Sequence, residues 1–181
     1  MNYYGAKQMA ASWRTVRGNT TQIAEDIPAD KYNYRVSPET MTVGETLAHM
    51  VSSPHWAEQA HMIEKKHEIT GEEFGKYRAE SHALAATLTN KDAIVDALKK
   101  HGDKFATGLE KMSDEQLAEV VQIPGGASKT RLEMLLGSKE HEMHHRGQLM
   151  QMQRLLGIVP HLTRARQAHA AAQAAAQQQN A

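Results

Sequence analysis

The sequence predicts an all-α domain, and three observations carry that expectation. Its apolar residues are mainly Ala, Leu and Met, and aromatics make up only 5% of the chain, a composition suited to helices packed on helices. Apolar side chains recur at three- and four-residue steps in four long segments, as on one face of a helix. Capping-box patterns stand at Thr42/Glu45, Ser113/Gln116 and Thr130/Glu133, where a hydroxyl and a carboxylate or amide three residues on satisfy the first free amides of a helix. At 181 residues the chain is long enough for one domain with its own core.

The first helix is expected from Tyr4 to Ile27, with Met9, Trp13, Val16 and Ile23 on one face and Pro28 closing it. The segment PADKYNYRVSPE follows as an extended or turn connection, Pro38 keeping Ser37 out of helical geometry. A second helix runs from Thr42 to about Lys66. Val43, Leu47, Met50, Val51 and Ile63 are its apolar positions, and His49, Ser53, Trp56 and Ala60 form a neighbouring stripe. Pro54 cannot donate to the Met50 carbonyl, so a kink is expected near His49. His67 to Thr89 contains Gly71 and Gly75 and few apolar residues, and is expected as a long connection with some helix around Lys76–Ala86.

The third helix spans Lys91 to Met112, with Ile94, Leu98, Phe105 and Leu109 on one face. Ser113 to Val121 reads as a short helical piece, and IPGGASK leads onward. The fourth helix, Thr130 to Leu156, ends before Gly157 and Pro160. Connections this long favour crossovers over a plain up-and-down bundle. From Arg164 the chain reads RARQAHAAAQAAAQQQNA, too poor in bulky apolar residues to build a core. The expected division is a helical domain over residues 1–163 and a frayed Ala/Gln-rich tail over 164–181.

Lys and Arg total 21, as do Asp and Glu, for a formal net charge of zero. A nucleic-acid binder should show an excess of basic residues. No Cys is present, which excludes disulfides, thiolate ligands and a cysteine nucleophile; thiol chemistry would need an external thiol. No apolar run approaches the ~20 residues that span a bilayer. The N-terminus MNYYGAKQMAASWR lacks a signal-peptide pattern, so a cytoplasmic location is expected.

The fourth helix carries the chemistry. Leu135, His141, His145, Gln148, Met152 and Leu155 share one broad face, so His141 and His145 lie one turn apart and close enough to share a metal ion. A histidine pair on an exposed helix is ordinarily polar surface. This pair lies on a core-facing stripe, where imidazoles need partners, and a metal is the common solution. The residues His141-Glu142-Met143-His144-His145 also match the HExxH form of zinc peptidases. The downstream part of that form is missing: Gln148 and Gln151 stand where Gly and His are wanted, and no Glu follows Glu142. A third ligand from the second helix fits better. His49 lies among Leu47, Met50 and Val51, and three imidazoles from two helices leave coordination positions open, the layout of catalytic sites.

TVGETLAHMV early and KEHEMHHRGQLMQMQRLLGIVP late resemble the DinB/YfiT superfamily of metal-dependent enzymes. The likeness covers roughly Thr42–Met62 and Thr130–Pro160. It implies a four-helix bundle with up-down-down-up topology and long crossovers. It also implies a divalent metal, zinc or nickel, on His49, His141 and His145, and a homodimer. Assigned activities among such relatives include thiol S-transfer and a thiol-dependent isomerisation; others are called hydrolases. The expected function is therefore a metalloenzyme that activates water or an external low-molecular-weight thiol against a small electrophilic substrate. The alternative is a non-catalytic, stress-linked metal-binding or scaffold protein.

Gln148, one turn beyond His145, is the candidate catalytic side chain, within reach of substrate or bound water. His144 points about 60° away from His141 on the helical wheel and is expected behind the ligands or at the surface. Arg146 and Glu142 are expected in surface or inter-helix pairs, and Trp56 and Ser53 as pocket lining or core. His55, His61, His67, His82 and His101 follow no shared stripe and are expected to be solvated. Met143, Met150 and Met152 are adaptable packing.

Overall fold

The computed structural model describes residues 4–179 and is mostly helical. The long helices are α1 (Ala6–Asp26), α2 (Val43–Ser52), α4 (Gly71–Ala86), α5 (Lys91–Glu110), α7 (Arg131–Leu155) and α8 (His161–Gln179). Short α3 (His55–Ala57) and α6 (Asp114–Ala118) lie between them. A two-stranded antiparallel hairpin, β1 (Val120–Gln122) with β2 (Ser128–Thr130), pairs Val121 with Lys129. It turns at Gly125 and Gly126, whose φ of +94° and +83° only glycine adopts without strain. The fold is all-α as expected apart from this hairpin, whose turn is formed by IPGGASK, expected as a plain connection.

The caps are largely those expected. Thr42 accepts from the Glu45 amide at 3.1 Å and Glu45 returns a bond to the Thr42 amide at 2.7 Å. Ser113 and Gln116 exchange the same pair, and Thr130 accepts from the Glu133 amide. A further box, Thr70 with Glu73, opens α4, so the expected connection over His67–Thr89 is mainly a regular 16-residue helix.

The second helix departs most from expectation. α2 ends at Ser52, Pro54 restarts the chain as α3, and Glu58–Ile63 is a π-helical stretch. The break thus falls after His49 rather than at it. His49 keeps regular helical geometry, and its carbonyl accepts from the Ser53 amide at 2.8 Å. The wide turn carries the chain onward to bond the Lys66 amide to the Ala60 carbonyl, a local rewinding common near functional sites.

α1 packs along α5 and against α7, while α2 packs on α4, α5 and α7. One core gathers Ile23, Ile27, Leu47, Met50, Leu98 and Leu149. A second gathers Met9, Trp13, Phe105, Leu109 and Leu135. The buried stripe of α7 runs Leu135, Ser138, Glu142, His145, Leu149, Met152, and Leu155, expected on it, is 53% exposed. From Arg164 the tail, expected over 164–181, is the exposed outer part of α8 as far as Gln179, and its last two positions lie outside the described residues. Among the described residues no helix is long and apolar enough to cross a membrane.

Candidate metal centre

Three imidazoles converge between α2 and α7. His49 Nε2 lies 3.1 Å from His141 Nε2, which lies 3.2 Å from His145 Nε2. One donor nitrogen from each residue falls within 4.8 Å of the other two. α2 supplies His49 near its end, and α7 supplies the other two one turn apart. His145 is buried, His49 and His141 half-buried.

Linear hydrogen bonds cannot join all three nitrogens of this cluster. Each Nε2 offers one in-plane position, either a proton or a lone pair, and His141 Nε2 faces two neighbours at bonding distance. One pair can bond, but the third nitrogen is left over. Nitrogens about 2.0–2.1 Å from a tetrahedral zinc ion stand about 3.3 Å from one another, close to the two spacings seen. The donor set therefore fits a divalent ion, and the cluster could hold one.

Electrostatics favours the same use. Burial and the neighbouring imidazoles push His141 down to about 4. Burial, then His145 and His82, lowers His49. His145 is lowered by burial against the opposing bond from Gln148. All three are thus neutral near pH 7, with lone pairs available.

Gln148 sits behind the ligands rather than in front of them. Its Oε1 is 2.8 Å from His145 Nδ1, and its Nε2 is 3.1 Å from His144 Nε2. With Nδ1–H donating to Gln148, the His145 lone pair is on Nε2, facing the other histidines. The side chain expected to act on substrate thus bonds one of the three histidines and exposed His144.

Glu142 turns away from the histidines. It is 1% exposed, and its Oε2 accepts from Arg17 Nη2 of α1 at 3.0 Å. The same Nη2 donates to the Met50 carbonyl at 2.9 Å. Arg17, 4% exposed, thus ties the backbone next to His49 to the side chain next to His141. Burial pushes the Glu142 carboxyl up against the pull of Arg17. The peptidase arrangement is absent, and the inter-helix pairing expected of Glu142 is present. Arg17 itself was missed in the sequence, although it falls one turn after Trp13 on the buried face of α1.

A cavity of about 800 Å³ opens beside His49 and His141. Ser53 and Trp56 line it, together with Ala48, Phe74 and Ala85, so its walls are mostly apolar. α4 closes one side with Arg78, Ser81 and His82. His82 is therefore part of the wall, not a bystander. Two other histidines expected in solvent are also engaged. His61 is fully buried beside Arg131, and His55 bonds Glu80 of α4 at 2.9 Å.

A helical frame with three convergent imidazoles at the side of an apolar cavity defines a class: helical proteins with a three-histidine site able to take a metal ion. The model of the DinB family matches residues 1–180, and the chain belongs to the DinB family. It is 25% identical over 160 residues to the uncharacterized protein YjoA of Bacillus subtilis (strain 168), covering 84% of this chain and 91% of that one. The crystal structure of that DinB-like protein superposes with a TM-score of 0.65 at 24% identity, over 83% of this chain and 92% of the other. The mycothiol-dependent maleylpyruvate isomerase shares the fold at a TM-score of 0.59 and 15% identity, over 82% of this chain and 63% of that one.

Proposed function

We propose that this chain is a metal-dependent enzyme in which His49, His141 and His145 hold a divalent ion, zinc or nickel, beside the cavity. The observation that carries the reading is the convergence of three neutral Nε2 atoms at the spacing of metal ligands, which linear hydrogen bonds cannot all satisfy. A divalent ion there lowers the pKa of a water or thiol and so supplies a nucleophile at neutral pH. The protein's own contribution is orientation and exclusion. Gln148 fixes the His145 ring, Arg17 holds α2 against α7, and apolar walls limit competing water. Three protein ligands leave room for a small molecule. The reaction is hydrolysis of, or thiol transfer to, a small electrophilic substrate. The chain has no Cys, so the thiol is external; the thiol dependence of a fold neighbour supports that branch. A homodimer with the up-down-down-up bundle, in the cytoplasm, completes the proposal.

The test is elemental analysis of untagged protein beside a His49→Ala/His145→Ala variant. Near-stoichiometric metal in the parent and none in the variant is expected. A hydrolysis and thiol-transfer panel, with and without low-molecular-weight thiols, follows. No metal in the parent even after reconstitution would sink the reading. Metal whose removal unfolds a protein with no turnover would favour a scaffold.

A further inference from the structure

We infer that the cavity beside the histidines takes a small molecule carrying a carboxylate or similar anionic group, gripped by Arg78 of α4. The inference rests on the proposed site for where the rest of that molecule lies, but its evidence is separate.

Two charged side chains other than histidine line the cavity, Glu45 and Arg78. Glu45 is already engaged. It caps the Thr42 amide at 2.7 Å and meets Arg35 at 3.5 Å, and those bonds hold its carboxyl low. Other charges of α4 are engaged as well: Glu73 with Lys66, and Glu80 with His55 and Lys76. Among the described residues Arg78 has neither a hydrogen bond nor an ion pair, and it borders a chamber walled by Ala48, Trp56, Phe74 and Ala85. Apolar walls lower the local dielectric and strengthen the pull of a guanidinium on an anion. Its fork of donors matches a carboxylate at two points.

Ser138, one turn before His141 on α7, adds to the cavity wall, but its Oγ is buried away from it. Arg78 on one wall and the histidines on the other therefore face one another across an apolar chamber. A molecule with an anionic head, an apolar body and a polar reacting end fits this arrangement. The anionic group can belong to the electrophilic substrate or to the thiol, and the experiment separates these.

Binding is followed by the fluorescence of Trp56, which lines the cavity, while Trp13 is buried in the core. Phenylacetate is compared with neutral phenylacetamide, and 3-mercaptopropionate with 2-mercaptoethanol. Wild type, Arg78→Ala and Arg78→Lys are titrated, each with and without added zinc, and metal content is measured separately. At least one anionic probe should bind about tenfold or more tightly than its neutral counterpart. That preference should vanish in Arg78→Ala and survive in part in Arg78→Lys, with unfolding temperatures unchanged because Arg78 is exposed. A preference confined to 3-mercaptopropionate assigns the anion to the thiol; one confined to phenylacetate assigns it to the substrate. Equal binding of acid and neutral probes, or a preference that survives Arg78→Ala, overturns the inference. If metal binds in that case, the enzyme reading stands without it. If no metal binds but the Arg78 preference holds, the enzyme reading falls and this one stands.

Discussion

Replacing Arg17 by Met should unfold the protein far more easily than an ordinary substitution on the first helix. The wild-type guanidinium is 4% exposed and Glu142 1%, joined at 3.0 Å. Met fills much of the same volume but leaves the carboxylate buried without its partner, and frees the Met50 carbonyl. Removing one member of a buried ion pair costs about 3–5 kcal/mol, about 10 °C in unfolding temperature for a chain of this size. Urea unfolding at pH 7 measures the loss directly. In the variant the Glu142 carboxyl is raised further above its unfolded value, so the stability it permits is present at low pH and lost as pH rises through the raised pKa. The deficit should therefore shrink between pH 7 and pH 5. The double variant Arg17→Met/Glu142→Leu removes the stranded charge and should recover most of the stability. Its metal affinity should stay reduced, because nothing then ties the backbone beside His49 to α7. A loss below about 1 kcal/mol in the single variant, or full recovery of metal binding in the double, would refute the clamp.

Three further outcomes are expected. A Cβ on Gly102 would stand 2.5 Å from Arg17 Cγ, so Gly102→Ala should cost about 1–3 kcal/mol through overpacking, read by thermal unfolding; a neutral result would show that α1 and α5 separate freely. Burial and Arg131 hold His61 down to about 4, below its unfolded value, so the unfolded chain takes up more protons. Up to about 3 kcal/mol of stability should be lost as pH falls from about 6.5 to 4, and the loss should be smaller in His61→Gln; parallel pH profiles for the two proteins would contradict it. Gln148→Ala should weaken metal binding by about tenfold, measured by competition with a chelator, with little change in unfolding of the metal-free protein.

What could be read from the sequence follows the kind of signal each element leaves. His141 and His145 announce themselves by an i, i+4 spacing within a capped helix, and His49 by its place in an amphipathic segment with a strong start. α4 left almost none. Tyr77 is its buried residue, so apolar periodicity is nearly absent, and Gly71 and Gly75 suggested a loop. The stripe of α7 was misread toward Leu155 because two of its buried positions are Ser138 and Glu142, which a hydrophobic pattern counts as surface. The same blindness hid Arg17, His61 and Arg131, all buried and polar. The partners of such residues lie far along the chain, as Arg17 and Glu142 do at a separation of 125 residues, and sequence spacing carries no trace of them. Pro54 gave a break correctly, but how many residues before a proline the helix ends depends on how the next turn rewinds.

The division of labour between α4 and the ligand helices bears on how such a protein can change over generations. His49, His141 and His145 stand on helices whose buried faces are committed to the cores and to Arg17. α4 contributes one side of the chamber while burying a single residue of its own. Substitutions along its exposed side cost little stability, yet they alter charge and shape next to the three histidines. Mutation can therefore reshape the chamber while the histidine cluster beneath it stays intact, and a lineage can vary that space without first passing through an unfolded ancestor.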